Sequence, residues 1–374
     1  MSTSATSADE QVAAIMRGDA VPCSGPDSAK EFLAAAERHG VSALLAERLD
    51  SRRTAWPHSI QEALARQRAL ASALEALRQR ELKTVLQVLA DRGVGPLLLK
   101  GTALAYRLYA DAAHRPRFDT DLLVRREELD TVDDVMRTRG YVRANQVTGE
   151  LVMHQVDYVR KDAQGIRHVF DFHWKLSNRQ AVASILSFDE LSQDAIAIEA
   201  LGPSARGLCN VHALIHACVH RVAHHPGDER LIWLYDIHLL LGALSRQEMA
   251  TFEAIATARS VAALCLEGVT SAQRWFDTRL AEGVVSRLSA AANITDGEPS
   301  AGLLQIRGAG FDELLSDLRA VGWTSRARLV YEHAFPPATY ISGMYMVSNR
   351  IWLPALYTHR IVRGVWRWVR GAVR

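Results

Sequence analysis

The chain has 374 residues, 48% of them hydrophobic and 23% charged, which suffices for a sizeable folded core and excludes a disordered chain. A net charge of +2 argues against a broad nucleic-acid-binding surface, so polymeric nucleic acid is a weak candidate for the substrate, with only a local basic patch left open. The four cysteines, Cys23, Cys209, Cys218 and Cys265, are scattered without Cys-x-x-Cys spacing and read as reduced thiols of a cytoplasmic protein.

Met1 to Glu10 has neither the basic start nor the apolar stretch of a secretory signal and reads as a frayed tail. Residues 10–92 are rich in Ala, Leu, Glu, Arg and Gln, and Ile60 to Arg92 has the 3.6-residue apolar spacing of one long or two shorter helices. Residues 1–92 are therefore expected to form a helical cap packed on a sheet. Pro96 to Lys100 is a short apolar run that reads as a buried strand ending at Gly101, and Thr102 to Ala110 reads as a helix with Thr102 as its cap. An acidic strand from Phe118 to Val124 follows, then a helix from Glu127 to Gly140. Val156 to Arg160 and His168 to Trp174 read as two strands joined by a turn containing Gly165. Residues 93–176 thus form a small mixed α/β core. Residues 177–374 read as mainly helical, with breaks near Gly202-Pro203, Pro226-Gly227, Asn293 to Gly302 and Phe335-Pro336-Pro337. The fold class expected is α+β, mixed and helix-rich, with helical regions on both sides of the core.

The chemistry concentrates around Asp119-Thr120-Asp121. On a strand, alternate side chains leave the same face, so two carboxylates at this spacing can converge on cations. Phe118 before the pair and Leu122-Leu123-Val124 after it put them inside the strand. Upstream, Lys100-Gly101-Thr102 offers a glycine turn, where backbone can approach a ligand, and a helix start whose amides attract phosphate. Asp171 shares a strand face with Val169 and His173, and a carboxylate among apolar neighbours needs a cation or hydrogen bonds. It is the candidate third ligand. His173 reads as a satisfied core or supporting residue, and Trp174 as packing.

This ordered set, Lys100-Gly101-Thr102, Arg115-Pro116-Arg117-Phe118-Asp119-Thr120-Asp121, Gly140-Tyr141 and Asp171-Phe172-His173-Trp174, resembles the uncharacterised nucleotidyltransferase family of the DNA polymerase β-like superfamily. The resemblance covers about residues 94–176. It implies that Asp119, Asp121 and Asp171 hold two Mg²⁺ ions, with Mn²⁺ as a substitute, and that Gly101 and Thr102 match the phosphate turn. It implies a nucleoside triphosphate as substrate, with Lys100 or Arg115 stabilising phosphate charge. Through the helices that follow, it also suggests that His220, Arg230 and Asp236 line the cleft from the helical side, with His173 as a further candidate cleft residue, although core packing explains them equally well.

A stripe of histidines, His212, His216, His220 and His224, recurs every fourth residue on one helix. Two of them could chelate a metal, which keeps a metal-dependent hydrolase as an alternative, although no His-Asp pair and no His-Glu-x-x-His accompanies them. A nucleotide-binding protein that has lost turnover is another alternative. The leading expectation is transfer of a nucleoside monophosphate to a hydroxyl or phosphate of an unidentified small molecule, sugar, peptide or protein. Asp119→Ala or Asp121→Ala should then abolish transfer while the thermal midpoint stays level or rises.

At the C-terminus, Ile351 to Tyr357 and His359 to Arg370 mix aromatics with arginines at helical spacing. Such a basic amphipathic helix, over residues 358–374, can lie in a membrane interface, or it can dock its tryptophans on the body and solvate its arginines. Arg350 interrupts the apolar run from Tyr340, which argues against a spanning helix.

Overall fold

The computed structural model describes residues 7–23, 26–51, 56–144, 146–225, 227–294, 298–306 and 311–371. Expectations placed on residues 1–6, Pro226, 295–297 and 372–374 lie outside the described residues.

The N-terminal region folds into α1 (Ala8–Arg17), α2 (Pro26–Arg38), α3 (Ser42–Ser51) and the 34-residue α4 (His58–Asp91). Order sets in before residue 10, earlier than expected. The Ser7 hydroxyl accepts the Glu10 N–H at 3.2 Å and the Glu10 carboxylate accepts the Ser7 N–H at 2.8 Å, a capping box that starts α1. The stretch from Ile60 resolves into one helix, because no Gly or Pro interrupts residues 58–91.

The core follows in the order β1 (Leu97–Leu98), α5 (Lys100–Leu108), β2 (Thr120–Leu123), α6 (Leu129–Thr138), β3 (Val142–Arg143), β4 (Gln155–Lys161) and β5 (Arg167–His173). Next come α7 (Phe188–Gln193), β6 (Ile196–Ala197), β7 (Arg206–Gly207), α8 (Asn210–His224), α9 (Leu231–Ala243), α10 (Arg246–Ala258), α11 (Ala262–Phe276) and α12 (Val284–Ile294). The chain closes with α13 (Phe311–Ala320), α14 (Trp323–Ala334), α15 (Ala338–Tyr345) and α16 (Leu353–Gly371). This is the helix-rich α+β fold expected from the sequence.

The seven strands form one mixed sheet in the order β3-β4-β5-β2-β1-β7-β6. β2 and β5 lie parallel at its middle, flanked by antiparallel β1 and β4. The β4–β5 hairpin turns at Gly165, whose φ of +80° suits glycine. β6 and β7, from beyond residue 176, complete the edge beside β1.

Alternation of side chains sorts the sheet into two faces. Leu98, Leu122, Phe170, Phe172 and Tyr158 pack on the C-terminal half of α4 and on α6, through Leu82, Val85 and Met136. Leu97 and Leu123 point the other way, into a core shared with α8, α9, α11 and the three N-terminal helices. Asp121, Asp157, Asp171 and His173 share this second face, since the register sets Asp121 opposite Asp171 and Asp171 opposite Asp157. Among the described residues no helix is long and apolar enough to cross a membrane.

Candidate active site

The site is built around the start of α5. Leu99 is its cap, with no side-chain bond, and Lys100 is its first residue, so Thr102 lies inside the first turn instead of capping it. The Thr102 hydroxyl is buried without a partner. Lys100 holds φ at +50°, a conformation that costs a residue with a Cβ about 1 kcal/mol. That backbone accompanies an ion pair, Lys100 Nζ to Asp121 Oδ1 at 2.6 Å.

Gly101 serves a neighbour. A Cβ there would lie 2.9 Å from Arg115 Cζ, so the missing side chain makes room for the guanidinium. Gly101→Ala is expected to cost about 1–3 kcal/mol in urea unfolding, because two-point bonding to Asp236 prevents Arg115 from giving way. A loss below a few tenths of a kcal/mol would show that Arg115 is free to move.

The strand begins at Thr120, one residue after Asp119, and Phe118 is 80% exposed. The two carboxylates therefore straddle the start of β2 instead of both lying within it. Asp121 is buried, and its Oδ1 faces both Lys100 Nζ and His173 Nε2, the latter at 3.0 Å. Burial alone would raise its pKa, but Lys100 and His173 outweigh it and hold the carboxyl well below the usual range. Asp119 feels Lys100 and Arg117 only as nearby charges. Burial and the charge of Asp121 push it up to about 6. Asp171 is the most crowded of the set, pushed to about 8 by burial and by Asp157, Asp121 and Asp119. Its Oδ1 is buried with no hydrogen-bond partner.

Among the described residues, the group that brings three candidate ligand atoms within 4.8 Å of one another is Asp121, Asp171 and His173. His173 thus stands nearer a metal position than its sequence context suggested, and Asp119 stands outside this trio. The donor set fits a divalent cation, since positive charge would relieve the partnerless buried oxygen of Asp171, whose carboxyl its neighbours force toward protonation. Asp157, which sequence reasoning passed over, faces the same cluster from β4. Its signal was the hairpin register: pairing counted back from the Gly165 turn sets 157 against 171.

Arg115 and Arg117 flank Pro116 and reach in different directions. Arg115 Nε and Nη2 donate to the two Asp236 oxygens on α9 at 2.8–3.0 Å, and the Tyr109 hydroxyl adds a bond to Oδ1 at 2.7 Å. The guanidinium expected at phosphate is thus engaged by a buried carboxylate. Arg117 pairs with Glu75 on α4 at 3.0–3.1 Å, where Tyr106 also donates. Arg78, one turn further along α4, donates to the Arg117 carbonyl, and the charge of Asp119 bears on its guanidinium. Neither α4 residue was marked by a motif. Both stand in a long regular helix whose polar positions look alike in sequence.

These walls enclose a cleft of about 560 Å³ above Lys100, Asp119 and Asp121. His220, Arg230 and Asp236 line it from the helical side, while Asp171 and His173 lie behind Asp121 outside the lining. Three of the α8 histidines meet in a stripe: the rings of His216 and His220 lie edge to face at 5.8 Å, and those of His220 and His224 stack at 4.8 Å. Burial, with Lys100 next in weight, pushes His216 to about 3 and His220 and His224 well below the ordinary histidine range. The stripe is uncharged at neutral pH. The His224 ring bonds to the Ser177 hydroxyl at 3.0 Å, and His212 likewise titrates below the usual range, chiefly through burial. The rings run along the helix, and the trio of converging ligands lies elsewhere, on the sheet.

Residues 26–277 match a family described as uncharacterised nucleotidyltransferase. The chain belongs to this family. The match runs from α2 through α11, so both helical walls belong to it along with the sheet. No curated protein matches the chain. As a nucleotidyltransferase the chain is an enzyme, and its family implies a nucleoside triphosphate substrate and use of a divalent metal. The buried Asp121, Asp171 and His173 could bind such a metal.

Proposed function

We propose that this nucleotidyltransferase moves a nucleoside monophosphate from a triphosphate to a hydroxyl or phosphate acceptor, with Asp119, Asp121 and Asp171 holding two Mg²⁺ ions. The observation that carries the reading is the carboxylate cluster on one sheet face, with Asp171 Oδ1 partnerless and Asp119 beside it at the cleft. When bound, the ions would activate the acceptor oxygen and neutralise the leaving pyrophosphate.

In the transfer, a bond forms between the acceptor oxygen and the α-phosphorus, the bond to the bridging oxygen breaks, and pyrophosphate departs. With a cation bound beside it the Asp171 carboxyl would be held ionised, and as a carboxylate it could take the acceptor proton. Lys100 and Arg78 both line the cleft and offer cations to the triphosphate, the first as a point charge and the second as a fork. Arg115 acts through the wall, by fixing Asp236 and α9. The Thr102 hydroxyl gives a further donor at the start of α5.

Isothermal titration with the four ribonucleoside triphosphates should show binding that requires Mg²⁺, and a triphosphate labelled at the α-phosphate should label an acceptor in extract of the source cell. Asp119→Asn should bind nucleotide weakly and transfer nothing. Mg²⁺-independent binding, or label that appears equally with Asp119→Asn, would reject the reading.

A further inference from the structure

The C-terminal helices concentrate what the rest of the surface lacks. Among the described residues, eleven of the sixteen large apolar side chains left exposed fall between Trp323 and Trp366. Trp323 is 82% exposed, Met346 93%, Ile351 76% and Trp352 58%. Trp352, one of the tryptophans that the docking alternative would bury on the body, is more than half exposed. Val362 and Trp366, one turn apart on α16, are exposed as well.

Charge is segregated in the same segment. From Trp323 to Arg374 the sequence has eight arginines and one glutamate, a net +7, against −5 for the remainder of a +2 chain. That glutamate is turned inward: Glu332 accepts the Leu151 N–H at 2.8 Å and pairs with Arg328 Nε at 2.9 Å. Its burial removes the acid from the outer face and anchors the helices to the body. The helices are also tied to each other, through Tyr357 to the Pro336 carbonyl at 2.6 Å and Arg360 to the His333 carbonyl at 2.6 Å. Arg326, Arg350 and Arg363 stay exposed beside the apolar side chains.

We propose that this face, carried by Trp323, Met346, Ile351, Trp352, Val362 and Trp366 with its surrounding arginines, seats the enzyme on an anionic lipid surface. Aromatic and aliphatic side chains enter the headgroup region while arginines meet lipid phosphates, which is how a basic amphipathic face binds without spanning. A second copy of the chain would bring +7 against +7 across a two-fold axis, which charge disfavours. Nucleic acid would satisfy the arginines but offer no hydrocarbon to Met346, Ile351 and Val362. The proposal is independent of the transferase chemistry.

The test uses the full chain in flotation with phosphatidylcholine vesicles, with and without about one-third phosphatidylserine. We expect flotation with the anionic vesicles and its loss at roughly 0.5 M salt. Trp352→Ser with Val362→Ser, and separately Arg350→Glu with Arg363→Glu, should each weaken partitioning at least about tenfold at an unchanged thermal midpoint. Failure of the wild-type chain to float on anionic vesicles would overturn the proposal, as would equal flotation of wild type and both variants. Concentration-dependent dimerisation abolished by the same substitutions, without vesicle binding, would assign the face to a second copy instead.

Discussion

Asp121→Asn is expected to reduce nucleotidyl transfer by at least about 10³-fold and, in the metal-free protein, to lower the thermal midpoint by a few degrees. The two effects have separate causes. Activity falls because Asp121 is the carboxylate common to the cleft lining and to the Asp121–Asp171–His173 trio. Stability falls because Asp121 Oδ1 is the acceptor for Lys100 Nζ and faces His173 Nε2, and removal of its charge strands a largely buried ammonium, a loss of about 2 kcal/mol. Sequence alone suggested a level or rising midpoint for either aspartate. That expectation fits Asp119, on which burial and the charge of Asp121 outweigh Lys100, and is reversed for Asp121, whose direct ion pair is not visible in the motif. The pH dependence follows the same sign. A carboxyl held below its ordinary value contributes stability above that value and loses it as pH falls, so wild type and variant should converge only in strong acid. Adding Lys100→Met to Asp121→Asn should return much of the midpoint and none of the activity. A double variant no more stable than the single one would show that the ion pair is not the cause.

Asp171→Asn should do the opposite to the metal-free protein while also abolishing transfer. In the folded chain this carboxyl is raised to about 8, whereas unfolded it titrates near 3.9. A group raised in the folded state binds its proton more tightly there, so its ionisation subtracts stability progressively as pH climbs from about 4 to about 8. At pH 7 the asparagine variant should be more stable by about 2–4 kcal/mol, and at pH 4 the difference should vanish. Millimolar Mg²⁺ should raise the wild-type midpoint and leave the variant's unchanged, since a cation stabilises the state that holds it. Parallel melting curves for both proteins across this pH range would remove Asp171 from the crowded cluster.

The strands of the candidate site were legible because their patterns are local. The hairpin over residues 155–173 was visible in two apolar runs and one glycine, and Asp171 stood out as the acid among Phe170, Phe172 and Val169. Asp119 and Asp121 were visible as a pair, but the strand start between them was not, since an exposed Phe118 looks in sequence like a buried one. Long-range partners were the least readable. Nothing local marks Glu75 as the partner of Arg117, 42 positions away, or Asp236 as the partner of Arg115, 121 away. At Gly101 the motif points to a ligand as the reason for the small residue, and the structure adds a second reason, the Arg115 guanidinium that a side chain there would meet. Lys100 is comparable. Its place in the motif points to phosphate, and its left-handed backbone accompanies the pairing with Asp121.

Arg115-Pro116-Arg117 acts on the cleft as a strut. One arginine braces α9 and the other braces α4, and the ring of the proline between them limits how far the backbone there can turn. Two helices that are distant in sequence are thereby gauged from the floor of the site, by the segment that leads directly into the acidic strand. The two walls of the cleft are tied to one short segment of its floor by buried ion pairs that need no ligand to form.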